Sequence, residues 1–125
     1  MFGFLARQRS ITKIALAPPA PRPGRHGLAV VLIVRNEAAH VGEWARFHAR
    51  AGVRHVHVYD NGCTDRTVAE LREALPKNRL TVIPWDQRLT DARRGAEIHN
   101  QVLAYAHATR NFGGAYRWMA YIDVD

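Results

Sequence analysis

Two hydrophobic rhythms alternate along this chain, and each change of rhythm marks an element. Residues 28–34, LAVVLIV, are aliphatic without a break, the pattern of a strand covered on both faces of a parallel sheet. From residue 38 the spacing turns helical. Val41, Trp44, Ala45, His48 and Ala51 share one side, with Glu43, Arg46 and Arg50 on the other, and Gly52 supplies a stop. VRHVHVYD, 53–60, predicts a second strand, with Val56 and Val58 alternating against His55 and His57. The turn formers DNGCTD, 60–65, lead into a short helix that Pro76 ends. Its N-cap candidates are Asp65 and Thr67, the latter at capping-box spacing from Glu70. RLTVIP, 79–84, predicts a third strand and 85–95 a polar connection. A third helix is predicted over 96–109, with Ile98, Val102, Tyr105 and Ala106 on its apolar face, and RWMAYID, 117–123, is a fourth strand.

The order β-α-β-α-β-α-β predicts an α/β domain with a parallel sheet and right-handed crossovers. Ligands of such sheets bind outside the carboxyl ends of the strands. Those ends carry Arg35-Asn36-Glu37, Asp60-Asn61, Trp85-Asp86 and Asp123-Val124-Asp125. Each of the four brings a carboxylate or amide to one edge.

The formal charge of +7 invites a nucleic-acid reading, but its distribution weakens it. Residues 1–27 hold five Arg or Lys and no acid, leaving 13 basic and 11 acidic side chains (net +2) over 28–125. We therefore divide the chain into a basic, proline-rich arm, 1–27, extended over 17–27, and a folded domain, 28–125. The arm suits peripheral contact with an anionic membrane face. No apolar run approaches the ~20 residues of a membrane span. With Cys63 the sole cysteine, an internal disulfide is excluded, which fits a reducing, cytoplasmic location.

Asp123 and Asp125, just past an apolar strand, repel one another unless a cation or proton lies between them. Oxygen-only ligands favour a hard ion, Mg2+ or Mn2+, with phosphate oxygens completing its shell. The competing reading is a solvated loop or a helix cap. Asp60 has the position of an acid that binds a nucleoside, or else closes an Asx-turn in DNG. No glycine-rich phosphate loop is present. His55 and His57 read as packed, hydrogen-bonded residues, Cys63 as a small residue without an activating base, and Trp44, Phe47 and Tyr105 as core or groove-lining residues.

VLIVRNEAAHVGEWARFHARAGVRHVHVYDNGCTD, followed by AEIHNQVLAYAH and YRWMAYIDVD, resembles the glycosyltransferase family 2 and family 92 group. Cys63 stands where that pattern has serine. The resemblance covers residues 28–125 and implies a GT-A, Rossmann-like three-layer α/β/α sandwich, truncated after the fourth strand. It implies a transferase, inverting, with a nucleotide-diphosphate sugar donor, a UDP-sugar first, and an undefined glycan, lipid or protein acceptor. Arg35, Asn36 and Glu37 would lie beside the nucleoside, Asp60 on base or ribose, and Arg94 and Asn100 at the donor's border. Asp123 and Asp125 would form the DxD motif, Asp125 nearer the metal and Asp123 nearer the ribose. The general base is expected downstream of the chain, leaving donor binding as the fragment's part. The rival enzyme is a haloacid-dehalogenase-like phosphohydrolase, whose first aspartate attacks phosphorus. A different class is a non-catalytic basic binding module.

Overall fold

The structure, a computed structural model, describes residues 9–125. Four parallel strands form the main sheet: β1, Leu28–Val34; β2, His55–Asp60; β3, Leu80–Pro84; and β6, Trp118–Tyr121. Their spatial order is β3-β2-β1-β6. The unbroken aliphatic strand therefore takes a central place, and the last strand joins its free side rather than extending the sheet beyond β3. Val31 pairs with His57 on one side and Tyr121 on the other.

Helices cover both faces. α1, Ala38–Arg50, and α2, Thr67–Ala74, pack on one. There Val41, Trp44, Ala45 and Leu71 meet Val30, Leu32, Val34, Val56 and Val58. α3, Asn100–Phe112, covers the other, where Ala104 and Ala108 lie against Val31 and Tyr59. The period-2 alternation of β1 thus feeds two cores at once. Ala51 of the predicted α1 face is exposed instead, because it lies past the last turn, while Phe47, off the Val41–Trp44–Ala45 stripe, is exposed and lines a groove rather than the core.

Two expectations about the third helix are corrected. It begins four residues later than predicted, because Glu97–Ile98 forms strand β5 and pairs antiparallel with β4, Leu89–Thr90. Its most buried residues are the small Ala104 and Ala108 rather than Ile98, Val102 and Ala106, since alanines let the backbone sit close above the aromatic Tyr59. Tyr105 does face that layer. The polar connection 85–95 therefore contains half of a small hairpin.

The segment before β1 runs along this body. The Ile11 N–H donates to the Glu97 carbonyl at 2.8 Å, and the Arg22 N–H to Gly114 at 2.9 Å. A Cβ at Gly114 would stand 2.8 Å from the Ala20 carbonyl oxygen, so only glycine permits that approach.

Between sheet and α3 lies an aromatic–histidine layer. His57 is buried, stacks on Phe112 with ring centroids 4.2 Å apart, and bonds the Tyr116 hydroxyl at 3.0 Å. His55 bonds Thr81 at 2.7 Å, and Tyr59 bonds His107 at 2.7 Å. The packing role predicted for His55 and His57 is met. Burial, with the neighbouring His55, pushes the His57 pKa down to about 3. The fold holds this ring neutral while the unfolded chain protonates near pH 6.5. Its contribution is therefore complete above about pH 6.5 and is lost as pH falls toward about 3. We expect the urea midpoint to fall between pH 7 and pH 4, and His57→Phe to flatten part of that slope. An unchanged slope in the variant would remove His57 from the account.

Candidate functional site

The carboxyl edge of the sheet is organised by a clasp between the loops that follow β1 and β2. Asn36 has φ 53, a left-handed conformation that asparagine tolerates better than most residues. There its amide oxygen accepts from the N–H groups of Thr64 at 2.8 Å and Asp65 at 3.3 Å, while its NH2 donates to the Thr64 hydroxyl at 3.2 Å. One residue on, the Glu37 N–H donates to the Thr67 hydroxyl at 2.8 Å, and the Ala38 N–H to Asp65 at 3.2 Å. Asp65 also accepts from the Thr67 N–H at 2.9 Å and the Thr67 hydroxyl at 2.5 Å. One carboxylate therefore serves the N-termini of both α1 and α2. The Thr67 hydroxyl, the Thr67 and Ala38 N–H groups and the Asp65 N–H hold it below the usual carboxyl range. Neither predicted N-cap of α2 holds that position: Arg66 occupies it without a side-chain bond, and Asp65, one residue earlier, satisfies the Thr67 N–H while the Thr67 hydroxyl bridges Asp65 and the Glu37 N–H.

Cys63 belongs to the same clasp. Its sulfur accepts from the Asn36 N–H at 3.4 Å and donates to the Val34 carbonyl at 3.5 Å. Burial pushes the thiol pKa up, keeping the proton that the second bond uses. The residue is small, as expected, but it is also bonded at both ends of its thiol.

Beside the clasp opens a cleft of about 610 Å³. Ile33 and Val34 from β1, Arg35 just after it, Asn61 and Gly62 after β2, Asp86–Arg88 after β3, the start of α3 and Asp123 line it. Asn100 is fixed in its wall. Its NH2 donates to Asn61 at 2.9 Å and to the Trp85 carbonyl at 2.8 Å, and the Trp85 indole N–H donates back to the Asn100 carbonyl at 3.1 Å. The amide oxygen of Asn100 is buried with no protein partner among the described residues. Arg35, Arg88, Asp86, Glu97 and Asp123 make the lining charged and of mixed sign.

The sequence-derived residues distribute as follows. Arg35, Asn100 and Asp123 line this cleft. Glu37 and Asp125 line a neighbouring groove of about 410 Å³, with His40, Glu43, Trp44, Phe47 and Val124. Ala120, Ile122 and Val124 pack on the α1/α2 side of the sheet, which sends Asp123 to the other side. The Trp44 indole N–H donates to the Asp123 carbonyl at 3.1 Å and stands between the two spaces. Asn36 is spent on the clasp. Asp60, half-buried, accepts the Cys63 N–H at 2.8 Å in an Asx-turn, while its neighbours Asn61 and Gly62 reach the cleft. Arg94 lies exposed in the Asp91–Gly95 turn, where Asp91 accepts its N–H at 3.2 Å. Among the described residues, no three His, Cys, Asp or Glu side chains converge as a metal-binding group.

Ser10, Gln87, Glu97 and His99 also line the cleft, with no local signal in the chain to single them out. Ser10 arrives through the Ile11 bridge to Ile98, and Glu97 through the hairpin. Asp86 and Asn61 were visible as strand-end residues.

A parallel sheet covered on both faces, with a polar cleft at the carboxyl ends of its strands, defines a Rossmann-like α/β ligand-binding domain. Its lineage is narrower. The model of glycosyltransferase family 92 matches residues 31–125, and the chain belongs to that family. It is similar to a glycosyltransferase family 92 protein of Oryza sativa subsp. japonica, 25% identical over 126 residues, covering 93% of this chain and 19% of that protein. A glycosyltransferase family 92 protein of Ricinus communis is 26% identical over 113 residues, covering 84% of this chain and 18% of its own. The chain thus spans about a fifth of the length of these curated relatives. No solved structure matches it. The phosphohydrolase and basic-module readings are not favoured by this membership.

The clasp makes a prediction independent of ligand. Asn36→Ala loses the amide bonds and strains a positive φ, lowering unfolding free energy by roughly 2–4 kcal/mol. Asn36→Gly keeps the backbone angle and costs about 1 kcal/mol less. Urea titrations that rank Gly and Ala equally would show that backbone angle is not what Asn36 supplies.

Proposed function

We propose that this chain is the donor-binding part of a glycosyltransferase that moves a sugar from a nucleotide diphosphate to an acceptor hydroxyl, with GT-A topology. The supporting observation is the cleft at the carboxyl edge, lined by Arg35, Asn61, Asn100 and Asp123, in a chain of glycosyltransferase family 92. The amides of Asn61 and Asn100 suit a base or ribose, which offers both donors and acceptors. Asp60, expected on base or ribose, acts in this reading through position instead: by closing the turn it presents Asn61 and Gly62 to the cleft. Arg35 brings a permanent cation to the diphosphate. Arg94 would reach the donor's border only if the 91–95 turn moved.

Of the Asp123/Asp125 pair only Asp123 offers its carboxylate to the cleft, while Asp125, two residues on, faces the adjoining groove. A hard divalent ion, Mn2+ or Mg2+, held at Asp123 would therefore take most of its ligands from the diphosphate. When bound, such an ion stabilises charge on the departing diphosphate. The chain's own residues orient the nucleoside and screen the phosphates. The acceptor and the general base that deprotonates it belong to the whole protein. We place the activity in the cytoplasm, with inversion at the anomeric carbon.

Calorimetric titration of UDP and GDP, with and without Mn2+, tests this reading. Binding should require the ion, and Asp123→Ala should weaken it by roughly tenfold or more. Asn100→Ala should weaken binding in the presence of the ion as well. Metal-independent binding that ignores both substitutions would sink the assignment.

A further inference from the structure

We propose that the amino edge of the sheet, with the segment leading into β1, is a docking surface for an anionic lipid bilayer. The argument starts from topology. In a parallel sheet every helix-to-strand connection returns to the same edge. Here that edge gathers the segments before β1, β2, β3 and β6. Together they carry Arg22, Arg25, Arg54, Lys77, Arg79 and Arg117, and none of them contains an Asp or Glu. The loops at the other edge hold Asp60, Asp65, Asp86 and Asp91 beside their arginines. The basic excess of the sequence is therefore polarised in space, not only confined to an arm.

These cations are not neutralised locally. The ion pairs among the described residues are Arg66 with Glu70 and Glu73, and Arg88 with Glu97, all away from this edge. Arg54 donates to the carbonyls of His26 at 3.0 Å and Ala115 at 2.9 Å, fixing the incoming segment against the end of the sheet. Arg79 likewise bonds the carbonyls of Ala49 and Val53. Both keep their charge while building the surface. Arg22, Arg25 and Arg117 are exposed.

A second observation selects a bilayer as the partner. Trp118 opens β6, an edge strand paired only with β1 among the described residues, and follows Arg117 directly. It is 70% exposed, the highest value among the exposed large hydrophobic side chains. An indole next to an arginine on a basic edge suits the headgroup level of a membrane, where the ring is half-solvated and cations meet anionic lipid. A nucleic acid would also attract the charge, but it gives a lone edge indole no apolar layer to enter.

The orientation is useful. β1 has seven residues, so the cleft lies roughly 20 Å from this surface. Docking would leave it open to water, with the acid-bearing edge turned away from the lipid. This inference does not depend on the sugar-transfer reading.

Vesicle flotation of the full chain tests it. We expect binding to phosphatidylcholine vesicles that contain phosphatidylserine, none to phosphatidylcholine alone, and release at about 1 M salt, where the Debye length is about 3 Å. Reversing Arg22, Arg25 and Arg117 to Glu should lower partitioning by roughly 100-fold or more. Tryptophan emission should shift to the blue on binding, and that shift should vanish in Trp118→Leu. If the triple variant loses its near-UV dichroism, Arg22→Glu with Arg25→Glu, both outside regular elements, serves in its place. Equal binding to neutral vesicles overturns the proposal, as does insensitivity to charge reversal. So does binding of RNA or DNA without any vesicle binding.

Discussion

The left-handed backbone of Asn36, locked by its own amide to the Thr64–Asp65 turn, is the constraint on which the carboxyl edge depends. A strand that must hand over to a helix in three residues needs a sharp change of direction. Asn36 makes it, and the neighbouring loop holds it. Because one asparagine side chain bonds two backbone N–H groups while Asp65 bonds the first turns of two helices, neither loop can relax alone. The buried Thr67 hydroxyl couples them again through the Glu37 N–H. Such mutual satisfaction is stabilising mainly because breaking any member strands a polar group.

From that constraint the two spaces at the edge follow. With Asn36 turned back, Arg35 before it faces the cleft and Glu37 after it faces the groove. The same division is repeated at the end of the chain, where Asp123 and Asp125 separate around the Trp44 indole bond. The result is a cleft rich in amides and mixed charges beside a groove with an exposed phenyl ring and carboxylates. The stiff aromatic–histidine layer under α3 supplies the floor that keeps Trp85 and Asn100 in register.

Charge is arranged on the same axis as topology. Helix-to-strand returns carry arginines without acids, while strand-to-helix loops carry the acids that cap helices and line the cleft. Parallel strands make that polarity possible, because all amino ends lie together. An antiparallel arrangement of the same residues would have mixed the two populations.

The strands and helices were legible because they rest on local periodicity: LAVVLIV can be buried on both faces and little else, and the polar run RNE after it has to be a strand end. Arg35 and Asp123 could be placed at the cleft edge for the same reason, since strand ends converge in this topology, whereas Asn100 came from the family resemblance, its helix having been expected to start four residues earlier. The hairpin pairing Leu89–Thr90 with Glu97–Ile98 was not, because its two-residue strands carry no period of their own. Sequence offered turn closure as one of two readings of Asp60 and the structure chose it, but sequence could not show that Cys63 bonds at both ends of its thiol, or that Asp123 and Asp125 part company around Trp44. Local sequence determined which segments are apolar on which face. Only the tertiary structure decided which polar atoms meet across separate loops, because hydrogen bonds are directional and short, and their partners here lie some thirty to eighty residues apart.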